Sequence, residues 1–427
     1  MKLNIRKNTR EVASFIVPKK VSYRQSIEIF DSLRVAVIVP TYKPSYLTKA
    51  LVENLIQWHE NVEVIVVDDS AGKSEGRFKD IFLDIATLSK KCRRVHLIKS
   101  PRNLYKSGAL NFGFEYVKKL NEKRRISAVV TTDDDIVITQ KTIPALVNKL
   151  YSSYYIGAAC STVRVRNKNR NLLTRLQGLE YHNFNVTKLS DNGFFKGPLV
   201  MQGMISAFKI SAFIDVGGFS VENLIEDYEM TANLKKHGWS VVFVPECWAW
   251  TDVPHQFETL WRQRVRWTYW GLEVIGSYFK SLIPFIQDVI GHLAFTAMIA
   301  LIALSFIIPS AISAEKSIVL ALMGIVFIHF AVSYLFGIYT LKRYKDADWK
   351  DHALRLTMVP EMIYSNLISM VLLGSYLFYG FNILFEKGKR FGRFYKVGAR
   401  VFSKFGYLLT WGTRDLAVIN MKGGENA

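Results

Sequence analysis

Two charged clusters at the ends of one tryptophan-rich stretch are the residues best suited to chemistry. Glu226-Asp227-Tyr228-Glu229 opens the stretch, and Gln263-Arg264-Val265-Arg266-Trp267 closes it. Trp239, Trp248, Trp250 and Trp261 lie between them. With Trp267 and Trp270, six of the chain's nine tryptophans fall between positions 239 and 270. Carboxylates take a hydroxyl proton, arginine forks hold phosphate oxygens, and aromatic faces pack the apolar C–H side of a sugar ring. Together these types point to a sugar joined to a phosphate.

The elements that must position them begin at Val35. Val35–Val39 is an apolar run closed by Pro40 and reads as a buried parallel strand. A helix is expected over about Tyr46–Trp58, strands at Val62–Val67, Val95–Ile98, Ile126–Val130 and Ile156–Val165, and a helix over about Ser107–Lys119. Strands alternating with helices indicate an α/β fold with a doubly wound, mostly parallel sheet. Asp68-Asp69-Ser70 and Asp133-Asp134-Asp135 each follow a strand directly. Ligands of open α/β sheets bind beyond the carboxyl ends of the strands, so the two clusters should share one crevice. Asp68-Asp69-Ser70 alone reads equally as a strand-to-loop turn with a helix cap. Three consecutive aspartates repel one another, and a divalent cation is the usual remedy. Lys106-Ser107-Gly108-Ala109-Leu110-Asn111 opens a helix whose free N–H groups, with Lys106, could face a diphosphate.

Charge and cysteine usage narrow the function class. The chain carries 56 Lys+Arg against 36 Asp+Glu, a formal charge of +20. The basic residues flank apolar spans or gather near the tryptophan stretch, which argues for membrane lipid or phosphate partners and against nucleic acid. Cys92, Cys160 and Cys247 are far apart and odd in number, so neither a disulfide framework nor a metal-type spacing is present. The eight histidines form no paired ligand motif.

Five segments follow: a basic arm at 1–33, the α/β domain at 34–255, interfacial amphipathic helices at 256–286, a transmembrane region at 287–386 and a basic tail at 387–427. The uncharged runs Leu293–Ala314, Ser317–Leu341 and Met362–Phe385 each match a bilayer span. The basic loop Lys342–Arg355 places the α/β domain on the cytoplasmic side of a multi-pass cell-membrane protein. Three full crossings would leave the basic tail outside, which conflicts with the same rule. The third run re-entering without crossing, or a miscounted span, would remove the conflict.

The order of Asp68-Asp69, Lys106-x-x-Ala-Leu-Asn, Asp133-x-Asp135, Glu226-Asp227 and Gln263-x-x-Arg266-Trp267 resembles the membrane-bound family 2 glycosyltransferases over about residues 34–270. These include the synthases of poly-N-acetylglucosamine, cellulose, chitin and hyaluronan; Trp261–Trp267 running into Gly271 is most similar to the first. The resemblance implies a GT-A fold and inverting transfer from a nucleotide sugar, most often a UDP-sugar. It implies that Asp68 and Asp69 contact the nucleoside, with Thr41 nearby. Asp133 and Asp135 would be the DxD pair holding the diphosphate through Mg2+ or Mn2+. Asp227 would be the general base, with Glu226 as its partner. Gln263, Arg266 and Trp267 would close over the diphosphate and stack on the acceptor, and Gly203 would shape the acceptor pocket. At i, i+3 and i+4 the three share one helix face.

The leading expectation is extension of a polysaccharide at the cytoplasmic membrane face. The alternatives are transfer of one sugar to a membrane lipid, and a non-enzymatic membrane protein whose basic face binds anionic partners. Many polymer synthases carry spans before the catalytic domain, which this sequence lacks, and three C-terminal runs are few for a private channel. A shorter tunnel, a homo-oligomer, an accessory subunit or an absence of polymer export would each account for that.

Overall fold

A computed structural model describes residues 29–278, 283–307, 324, 331–332, 334–385 and 392–407. They form two compact units. One holds the chain up to Lys168 together with Thr187–His255; the other holds Asn169–Val186 and the described chain from Gln256.

The first unit is built on eight strands: β1 (Arg34–Thr41), β2 (Val62–Asp68), β3 (Val95–Lys99), β4 (Ile126–Thr132), β5 (Val137–Ile138), β6 (Ile156–Val165), β7 (Ile205–Lys209) and β8 (Ser240–Thr251). They lie in one sheet in the order β3-β2-β1-β4-β7-β6-β8-β5. β1 pairs in parallel with β2 and β4, β2 with β3, and β6 with β8. β7 runs antiparallel to both β4 and β6, and β5 antiparallel to β8. The α/β class expected from the alternation is therefore found, with a mixed sheet. Every residue of β2 and β6 is buried, as suits strands covered on both faces.

Helices α1 (Tyr46–Trp58), α2 (Gly76–Lys91), α3 (Tyr105–Arg124) and α4 (Thr142–Leu150) alternate with the early strands. Ser45 caps α1 in a reciprocal box with Thr48, which fixes where the chain leaves β1. Ala109, Leu110, Phe114 and Val117 of α3 pack with Ala36, Ile38, Ile65 and Val67 of β1 and β2. Gly113 permits that approach, because a Cβ there would lie 2.6 Å from Ile38 Cγ2. Helix α5 (Leu172–Asp191) passes from one unit into the next; α6 (Ile210–Asp215) and α7 (Glu226–Lys236) complete the first.

The second unit contains α8 (Phe257–Ser277), α9 (Ile286–Ile307), α10 (Trp349–Thr357), α11 (Val359–Phe385) and α12 (Gly392–Lys404). Among the described residues one helix, α11, is long and apolar enough to cross a membrane. The expected run Met362–Phe385 lies within it. Leu293–Ala314 overlaps α9 as far as Ile307, and its remainder lies outside the described residues, as does most of Ser317–Leu341. Val265 and Tyr269 of α8 pack with Val371 and Phe378 of α11.

Candidate active site

Strand register brings the acidic clusters to one edge of the sheet. Thr41 pairs with Asp68 at the ends of β1 and β2, and Ile38 of β1 pairs with Thr131 of β4, which runs on into Asp133. The Asp69 N–H donates to Thr41 O at 2.8 Å, and the Asp133 N–H to Met204 O at 2.8 Å. Asp68 and Asp69 are both buried. Asp68 accepts from the Ser70 hydroxyl and N–H, and Asp69 from the Leu104 N–H at 2.8 Å. Burial raises the Asp69 carboxyl above its ordinary value, while the Leu104 N–H works the other way.

Lys106 is the hub of the site. Its Nζ lies 2.5 Å from Asp133 Oδ1 and 3.0 Å from Glu226 Oε1, and it donates to Gly203 O at 3.0 Å. Its charge is directed at two carboxylates. Burial opposes the ammonium, but Asp133 and Glu226 outweigh it and raise the Lys106 pKa, so the cation persists.

Glu226 and Asp227 stand in the first turn of α7, where the helix dipole favours negative charge. Asp227 Oδ2 accepts the Gly203 N–H at 2.7 Å, and Oδ1 accepts the Tyr228 N–H at 2.8 Å. Its pKa is raised, chiefly by burial and then by Glu226, against the pull of Lys106. Glu229 instead accepts from Asn223 at 2.6 Å, so its side chain serves the local fold.

The DDD segment divides its roles. Asp133 pairs with Lys106 and Asp134 accepts from the Thr41 hydroxyl. Asp135 is exposed, with no hydrogen bond or ion pair to a described residue. Burial pushes Asp133 up to about 7 and Asp134 up to about 6. The Thr41–Asp134 bond was not legible in the sequence, because neither residue type nor spacing links positions 93 apart. Among the described residues no group of three or more His, Cys, Asp or Glu side chains could hold a metal ion alone. A set of one or two aspartate oxygens instead suits Mg2+ or Mn2+ arriving with a diphosphate that fills the remaining positions.

Gly203 is pressed into this cluster. A Cβ there would meet Lys106 Nζ at 3.0 Å, Glu226 Oε1 at 3.2 Å and Asp227 Cβ at 3.4 Å. Gly203→Ala should displace those groups and lower turnover by up to about 10²-fold with folding retained, read by steady-state kinetics beside thermal melting.

Gln263, Arg266 and Trp267 lie on α8 in the second unit. Arg264, which the sequence reading left without a separate role, is nearly inaccessible at 2 % exposure and pairs with Glu180 of α5. Tyr364 of α11 donates to the same Glu180 oxygen at 2.7 Å. The Arg264 guanidinium also lies 4.0 Å from the Trp267 ring centroid.

Residues 128–381 match the model of glycosyl transferase family group 2, and residues 36–217 that of glycosyl transferase family 2. The chain belongs to the family 2 glycosyltransferases. The transferase is 25% identical over 224 residues to the poly-beta-1,6-N-acetyl-D-glucosamine synthase of Staphylococcus aureus, an alignment of 52% of this chain and 50% of that protein. The Staphylococcus epidermidis protein of the same name is 26% identical over 222 residues, with the same coverage. The transferase thus spans about half the length of the curated relatives it matches. Among solved structures it is similar to a mannosyltransferase from Pyrobaculum calidifontis, with 17% identity and a TM-score of 0.49 over 80% of this chain and 92% of that one. Glucosyl-3-phosphoglycerate synthase from Mycobacterium tuberculosis is also similar, with 13% identity and a TM-score of 0.38 over 60% and 85%.

Proposed function

We propose that this transferase moves a sugar, with inversion, from a nucleotide-sugar donor to a growing polysaccharide at the cytoplasmic face of a membrane. The observation that carries the reading is the Asp227 carboxylate, held by the Gly203 N–H beside the Lys106 link between Glu226 and Asp133. Asp227 takes the proton of the acceptor hydroxyl. The acceptor oxygen bonds to the anomeric carbon as the carbon–phosphate oxygen bond breaks, and the nucleoside diphosphate leaves with the electron pair. One displacement inverts the anomeric centre. The raised basicity of Asp227 favours that role. Lys106 holds the Glu226 carboxylate beside the base at 3.0 Å.

Asp135 and Asp133 would hold Mg2+ or Mn2+, which supplies positive charge for the departing diphosphate. Asp68, Asp69 and Thr41 are assigned to the nucleoside. Gln263 and Arg266 are assigned to the diphosphate, and Trp267 to the acceptor ring. A GT-A fold and the segment boundaries 34–255, 256–286 and 287–386 belong to the same reading. The α/β sheet supports the first, and the apolar helix α11 supports membrane association. Helix α12 adds to that support: Val397 and Val401, with Phe405 just past its end, are exposed apolar residues with Arg400 and Lys404 nearby, which suits an anionic bilayer surface.

Membranes carrying the protein, incubated with radiolabelled UDP- and GDP-sugars and a divalent ion, test the reading. A long, glycanase-sensitive product supports it. A single organic-extractable species would assign transfer to a lipid instead, and no ion-dependent nucleotide release from any donor would remove the enzyme mechanism. UDP-N-acetylglucosamine is the first donor to try, from the name of the staphylococcal relatives.

The acid side of the pH profile follows from Asp133. A metal competes with the proton for a carboxylate, and burial raises this one to about 7. Mn2+-dependent UDP binding should therefore weaken severalfold as pH falls from about 8 to about 6, since the raised pKa keeps the proton on through that window. Isothermal titration at the two pH values measures it.

A further inference from the structure

We infer that Lys188 is a positioning residue for transfer, fixing the Gln202 side chain and through it the Gly203 peptide that joins Asp227 to Lys106. This rests on the reading of Asp227 as the base.

Lys188, on α5, is 5% exposed. Its Nζ donates to Ser161 O of β6 at 3.0 Å and to Gln202 Oε1 at 2.8 Å, and lies 4.7 Å from the Phe243 ring centroid. No described carboxylate pairs with it. A buried ammonium met only by neutral acceptors is an unfavourable arrangement, and burial lowers its pKa to about 8. An apolar side chain of the same length would fill the space at less cost, so the ammonium is explained by what it holds.

What it holds is strained and short. Gln202 has φ +53°, a left-handed conformation that residues with a Cβ rarely adopt. The Met204 N–H turns back to Gln202 O at 2.9 Å. Between them the Gly203 N–H donates to Asp227, Gly203 O accepts from Lys106, and Met204 O accepts from the Asp133 N–H. On the inner side, the Met201 N–H donates to the Thr231 hydroxyl, which donates to Asp227 O. Four successive residues thus tie the base, the lysine hub and the DDD segment together. Met201 is anchored from α7; Gln202 is anchored by Lys188. Without Lys188 the left-handed residue can relax, and the Gly203 peptide rotates away from Asp227.

The test is a double-mutant cycle in the full-length protein, with the nucleotide sugar that the donor screen selects. Lys188→Met and Gln202→Met should each lower kcat by about 10–10²-fold and leave the donor KM within about threefold, the signature of lost orientation. The double variant should fall no further than the worse single one, because both break the same bond. A well-folded Lys188→Met or Gln202→Met with wild-type kcat overturns the inference, as do losses that multiply in the double variant. Where Lys188→Met does not fold, Gln202→Met, at a half-buried position, decides alone by its kcat. Asp227→Asn assayed in parallel separates the two claims. Retained transfer there defeats the base assignment, whereas its loss beside an unaffected Gln202→Met defeats only the positioning role.

Discussion

Asp227→Asn should lower turnover by about 10²–10⁴-fold while the protein still folds, the usual cost of losing a general base. The amide oxygen of Asn can still accept the Gly203 N–H that Asp227 Oδ2 accepts at 2.7 Å, so the Gly203 turn keeps its anchor. The capacity to take a proton is lost, together with the local bond from the Tyr228 N–H that Oδ1 accepts at 2.8 Å. Glu226 is poorly placed to substitute, because its Oε1 is engaged by Lys106 at 3.0 Å. The measurement is kcat in membranes matched for protein content, with thermal melting as the folding control. Turnover within a few-fold of the parent would take the base role from Asp227.

The second large effect is on stability and lies in the other unit. Arg264→Met should destabilise the protein by about 3–5 kcal/mol, because a buried cation is removed and its carboxylate partner stays behind. Glu180 is 16 % exposed at its side chain, so water reaches it poorly. Tyr364 continues to donate to it, but one neutral hydroxyl does not offset a missing guanidinium. The same substitution strips the cation from the Trp267 ring. Chemical unfolding of the detergent-solubilised protein, followed by tryptophan fluorescence, reads the loss. A double variant that also carries Glu180→Gln should recover part of it, since the stranded charge is gone. A single variant as stable as the parent would mean that Glu180 is hydrated and the pair adds nothing.

Much of the first unit could be read before any coordinates. Largely apolar runs leading into aspartate marked β2 and β4, as suits strands covered on both faces, and the charge inside β2, Glu63, is buried against Arg124 and His96. The bounds expected for α1 and β6 are those observed, since capping and burial there are local. Strands β5, β7 and β8 went unread: β5 has two residues, and the sequence of β7 does not encode its antiparallel direction.

Residue type and order along the chain therefore determined the family, the α/β class and the list of charged groups that matter. Tertiary structure alone decided which of those groups meet. Lys106 joins Asp133 and Glu226, Asp134 joins Thr41, and Lys188 holds Gln202, all through pairings between distant elements. It also separated Arg264 from its neighbours in the motif, turning it inward to Glu180 while Gln263, Arg266 and Trp267 stay partly accessible on α8. The physical reason is that an ion pair depends on distance and desolvation across the fold, neither of which is carried by sequence spacing.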